Sequence, residues 1–93
     1  MALTLRRNHS RSPAYSDLED WIIFSGQWPI GRVYEERGSP PELRWRWSFY
    51  GGVDKPPGMV ADARAPTLEA AKVQFAENWR KWLAWTALAE TAR

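Results

Sequence analysis

The sequence predicts an α+β domain: a three-stranded antiparallel sheet, four-stranded if Met59-Val60-Ala61 adds an edge strand, with one long C-terminal helix packed on one face. Three observations predict it. Leu43-Arg44-Trp45-Arg46-Trp47-Ser48-Phe49-Tyr50 alternates apolar and polar side chains, the period of a strand with one buried face. From Thr67 to about Ala89 the chain is rich in Ala, Leu, Glu and Lys, all strong helix formers. Clusters of glycine and proline punctuate the chain between its apolar stretches.

Residues 1–16 read as a flexible basic arm and residues 17–93 as a single β-β-β-α domain. The arm is polar with scattered apolar side chains, and ordering it would cost about 1–2 kcal/mol per residue against little burial. Trp21-Ile22-Ile23-Phe24, followed by Ser25-Gly26, reads as the first strand and its turn. Ile30-Gly31-Arg32-Val33-Tyr34-Glu35 reads as the second, joined to the first by a hairpin loop of about five residues. Gly31 inside it signals a bulge or a close backbone approach. Pro40-Pro41 belongs to a loop, because proline cannot donate to a ladder.

The third strand is Leu43 to Tyr50, with Leu43, Trp45, Trp47 and Phe49 directed to one face. A long loop follows to Pro66. Thr67 is the expected helix N-cap, with Glu69 in the first turn, where the helix dipole favours an anion. At helical spacing Leu68, Ala71, Phe75, Trp79, Trp82, Leu83 and Thr86 form one stripe. Lys72 interrupts it and is expected to lay its stem on apolar surface. Glu77 and Lys81 are spaced as a favourable pair on the outer face.

Ninety-three residues make one domain with a thin core, strengthened by seven tryptophans. The net charge of +2 divides unevenly: three arginines and no acid in residues 1–16, then ten basic and eleven acidic groups in residues 17–93, or −1. The basicity therefore belongs to the arm, which weakens the case for the whole domain as a magnet for nucleic acid. The chain has no cysteine, hence no disulfide and no thiolate for catalysis or metal binding, a usage expected in a reducing cytoplasm. The longest uncharged apolar run, Trp21 to Phe24, is far short of the ~20 residues of a membrane span. The N-terminus has no apolar core of a signal peptide. Asn8, His9 and Pro13 break the pattern of an amphipathic transit peptide.

Leu5-Arg6-Arg7-Asn8, Ser10-Arg11-Ser12, Ile30-Gly31-Arg32-Val33-Tyr34, Trp45-Arg46-Trp47, Thr67-Leu68-Glu69-Ala70-Ala71-Lys72 and Phe75 through Trp79 together resemble a group of small α-proteobacterial proteins of rhizobial type. That group has no assigned activity, so the resemblance brings no catalytic residue with it. It implies a bacterial cytoplasmic protein.

The residues point away from an enzyme. His9, the single histidine, lies in the arm without a cysteine or an orienting partner. Asp17, Glu19 and Asp20, and Glu35 with Glu36, fall at strand ends, where water is expected to solvate them. No nucleophile elbow, phosphate loop or dinucleotide fingerprint is present, and no cofactor or metal is implied.

Two binding readings remain. The preferred one is a non-enzymatic binding or protein-interaction module. Trp45, Trp47, Trp79 and Trp82 are assigned to the core. Trp28 in a turn, and Trp85 with Leu88 near the helix end, are candidates for a protein contact or a homodimer seam. The alternative is nucleic-acid binding through Arg6, Arg7 and Arg11 of the arm and an open sheet face bearing Arg32, Arg44, Arg46, Ser48 and Tyr50. Three strands under one helix is also similar to the layout of AP2-type and integrase arm-binding DNA-binding domains, which present the sheet to a groove. Pairing of those arginines with Glu35 or Glu42 would leave the face without that role.

Overall fold

The computed structural model describes residues 3–8, 18–36, 38–50 and 56–91, with side chains described as far as residue 86. Five strands and one helix follow in chain order: β1 (Leu3–Arg7), β2 (Asp20–Ser25), β3 (Trp28–Glu35), β4 (Trp45–Phe49), β5 (Asp62–Ala65) and α1 (Leu68–Thr91). The sheet is an antiparallel meander in the order β1-β2-β3-β4-β5. The expected α+β class and the terminal helix are present; the strand count of three or four is corrected to five.

The additional strand at the start is β1, in the stretch assigned to the arm. Leu3 and Leu5 alternate with Thr4 and Arg6, a short period-2 pattern that pairs with β2 and sets Leu5 opposite Ile23. Residues 9–17, including the site candidate Arg11, lie outside the described residues. The edge strand foreseen at Met59–Ala61 forms instead at Asp62–Ala65, and Met59 is buried.

The hairpin between β2 and β3 is tighter than expected. Ser25 pairs with Trp28, so Gly26-Gln27 is a two-residue turn, and Gly26 takes φ +60°, which glycine reaches without steric cost. Trp28 and Pro29 consequently belong to the strand, and a register shift at Ile23/Phe24 accommodates the proline. Leu43 leaves the expected third strand: Pro41–Leu43 forms a 3-10 turn and Leu43 is exposed.

The helix lies on the Trp-x-Trp face, as the two patterns predict. Ile23, Val33, Trp45, Trp47 and Ala65 from the sheet meet Ala71 and Phe75 from α1 in one buried cluster. Trp47 packs edge-on to both Phe49 and Phe75, and Phe49 stacks on Phe75 with centroids 4.3 Å apart. The ring series runs outward through Trp79 to Trp82, the last two stacked at 5.2 Å. Both are half-buried, less enclosed than the core assignment expected.

Polar contacts fix the helix to the sheet and the loop before β5. Thr67 caps it, its Oγ1 accepting from Ala70 N at 3.0 Å. Trp47 Nε1 donates to Gln74 Oε1 at 2.9 Å. Buried Asn78 accepts from Val60 N and donates to Gln74 O, each at 2.8 Å. Lys81 Nζ donates to Gly58 O at 3.3 Å instead of taking the expected pair with Glu77. Among the described residues no helix is long and apolar enough to cross a membrane.

Candidate functional site

The helix packs chiefly on β3, β4 and β5, and beside it, against the half-buried Leu3 and Leu5 of β1, the inner face is only partly covered. The result is an open trough of about 490 Å³. Its floor is Leu3, Leu5 and Ile23; its helical wall is Val73, Ala76, Trp79 and Leu83. Leu3 and Leu5 reach the floor because inward side chains recur every second residue along β1. Val73, off the predicted stripe, stands on the lip and is 57% exposed. Lys72, Arg80 and Glu69 rim the same trough, with Lys72 Nζ 3.5 Å from Glu69 Oε1. The stem of Lys72 therefore borders apolar surface, as its place in the stripe implied.

Trp79 separates this trough from a smaller recess of about 160 Å³, which is lined by Pro29, Ile30, Phe49, Tyr50, Met59 and Trp82. Trp79 Nε1 is buried and, among the described residues, has no hydrogen-bond acceptor. A buried donor left unbonded costs about 1–3 kcal/mol.

The candidate interface residues divide. Trp28 is 76% exposed, one residue before Pro29 of the smaller recess. Tyr50, proposed for nucleic acid, lines that recess, and burial pushes its phenol pKa up. Trp85 is half-buried and lines neither hollow, and the side chain of Leu88 lies outside the described ones. Sequence reasoning missed Leu3, Leu5 and the groove role of Val73. The available signals were the Leu-Thr-Leu alternation and an apolar helix residue outside the stripe.

The open face of the sheet is largely self-satisfied. Register places Arg6, Ile22, Arg32, Ser48 and Asp62 in one cross-strand row, with Asp20, Tyr34, Arg46 and Arg64 in the next. Asp20, expected to be solvated, is 1% exposed, and Arg32 grips it through Nε and Nη2, the Nε contact being 2.9 Å. The hydrogen bond to Asp20 raises the Arg32 pKa further, and the guanidinium also lies 4.1 Å over the Tyr34 ring.

Arg44 Nε pairs with Glu35 Oε2 at 2.8 Å, one of the two pairings that removes it from a free row. Arg64 Nη1 pairs with Glu36 Oε2, also at 2.8 Å, and this guanidinium holds the Glu36 carboxyl below its ordinary range. Arg6 lies over Phe24 and Arg7 over Trp21, at 4.6 and 5.5 Å. Arg6 and Arg46 make no ion pair among the described residues. No group of three or more metal-ligating side chains occurs among the described residues.

No protein-family model matches the chain, and it has no significant match among the curated proteins or the solved structures searched.

Proposed function

We propose that this protein is a non-enzymatic interaction module that docks a protein segment in the trough between β1–β2 and α1. The observation that carries the reading is the open trough: half-buried Leu3 and Leu5 lie beside a helix that packs chiefly on β3 to β5, and with Ile23 they make an apolar floor. Natural domains expose few contiguous apolar surfaces of this kind unless something covers them. Val73 on the lip supplies exposed apolar area. The rim carries Lys72 and Arg80 against Glu69, so an acidic partner fits it.

A photo-crosslinking residue placed at Val73, in the cells that make the protein, tests the reading. Defined protein adducts are expected from Val73 and not from Glu42, which is exposed in the 3-10 turn away from the trough. Equal adducts from both positions, or none from Val73, would refute it.

Duplex nucleic acid is the second reading. It is supported by Arg46, which faces Arg64 across β4 and β5 while Glu36 is the carboxylate paired with Arg64. Like charges directly opposite are unfavourable in a ladder, and a phosphate would relieve them. Three of the neighbouring arginines are committed to carboxylates, which ranks this reading second. Binding that falls steeply with salt and is lost in Arg6→Gln plus Arg46→Gln would support it; salt-insensitive or absent binding would remove it.

A further inference from the structure

Among the described residues β1 is the terminal strand of the sheet, hydrogen-bonded to β2 and to nothing on its outer edge. An edge strand presents a row of backbone N–H and C=O groups ready to pair with another strand. Here that edge also borders the apolar trough. A strand added beside β1 would send every second side chain onto the level of Leu3 and Leu5, closing the open side of the hollow. Its intervening side chains would stand on the other face, beside Thr4 and Arg6.

Charge selects among the possible occupants. β1 contains Arg6 and Arg7 and no acid. Across the trough Lys72 and Glu69 offset each other as a pair, and Arg80 leaves that rim net positive by one. A second copy of β1 would bring two further guanidiniums into the same short ladder, and like charges disfavour that pairing. A helix laid in the trough would leave the edge amides of β1 bare.

We propose that the partner of this module is an extended segment of alternating apolar and acidic residues, added as a sixth strand to the outer edge of β1, with its apolar side chains over the trough. The proposal rests on the trough being the working surface, and it specifies how that surface is used. Arg6 then stands beside the acidic side chains on the face away from the trough, while Arg7, on the face of Leu3 and Leu5, adds positive charge at the end of the same edge; both repel a second copy of it.

The test uses the full chain and a synthetic peptide of four Val-Glu repeats, compared with four Val-Lys repeats and with a Val-Glu peptide N-methylated at alternate backbone nitrogens. The Val-Glu peptide is expected to shift the backbone amides of Leu3–Arg7 in NMR spectra. Its binding should weaken with salt, fall about tenfold in Arg6→Gln plus Arg7→Gln, and disappear on N-methylation of the pairing edge.

Equal binding of the Val-Lys peptide would overturn the charge assignment. Binding that moves Val73 and Leu83 but not the β1 amides, and that survives N-methylation, would overturn strand addition while keeping the trough. Absence of any shift with the Val-Glu peptide, where Val73 still crosslinks a partner, would overturn strand addition alone. Absence of both would remove the trough as well.

Discussion

Phe75 occupies the space that a side chain on Gly31 would need: a Cβ built there lies 2.5 Å from Phe75 Cε2 and 2.5 Å from the Ser48 carbonyl oxygen. This contact explains how close the helix comes to the sheet, and why the second expected strand carries a glycine in its middle. The ring needs a bare stretch of β3 to reach Val33 and Trp47.

Gly31→Ala is therefore expected to destabilise the fold by about 1–3 kcal/mol, the usual cost of overpacking, even though alanine suits a strand no worse than glycine. Phe75→Ala alone should cost about 3–5 kcal/mol through cavity formation. The double variant should cost less than the sum, because the alanine methyl then crowds only the Ser48 carbonyl and no longer the ring. Urea unfolding of all four proteins measures this, and strict additivity would place the cost of Gly31→Ala on the Ser48 carbonyl and not on the ring.

Trp47 and Trp79 provide a second comparison. Each contributes an indole, but Trp47 Nε1 is bonded to Gln74 and Trp79 Nε1 is buried without an acceptor among the described residues. Trp47→Phe removes a bonded donor and leaves Gln74 Oε1 without it; Trp79→Phe removes only a donor that was already unsatisfied. Trp47→Phe should be the more damaging by about 1 kcal/mol or more, read from denaturant midpoints at equal slope. The reverse order would mean that Trp79 has an acceptor after all.

The sequence made the packed half of this molecule readable and the open half hard to read. Trp45 and Trp47 alternate with arginine and serine, and Ala71 and Phe75 recur at helical spacing, so both buried faces announce themselves before any contact is known. Leu3 and Leu5 are only two apolar residues in a basic stretch, and their place is decided by pairing with β2, a long-range contact that local pattern does not encode. The trough follows from where the helix comes to rest, over β3 to β5, which no single segment specifies. Asp20 looked like a solvated turn residue because its burial depends on Arg32, twelve positions later.

Glu36 gives the fold a specific sensitivity to acid. The hydrogen bond from Arg64 lowers its pKa in the folded state below the ordinary value of 4.5, with Tyr34 and Arg46 acting in the same direction. A carboxyl held lower in the folded than in the unfolded chain stabilises the fold above its unfolded pKa, and that contribution disappears as pH falls through the folded value. The pair is open to solvent and screened by it, so its contribution is small. Wild-type melting temperature should fall between about pH 5 and pH 3, and Glu36→Gln should show a shallower fall over the same range while being slightly less stable at pH 7. Parallel pH profiles would detach Glu36 from that titration.

The most consequential polar contact is the one between Asp20 and Arg32. Asp20 is sealed from water, and Arg32 meets it with a two-pronged grip while its guanidinium plane covers Tyr34. Arg32→Met removes the forked guanidinium from a buried carboxylate, and breaking such a pair from one side costs about 3–5 kcal/mol; the partial exposure of Arg32 places the expectation at the lower end of that range. Arg32→Lys should recover little, because a point charge on a flexible stem reproduces neither the fork nor the stacking. Asp20→Asn combined with Arg32→Met should be more stable than Arg32→Met alone, since the buried charge is gone. Chemical denaturation of the three variants decides the matter: if the double variant is the weakest, the cost lies in lost packing around Arg32 and not in an unbalanced buried charge.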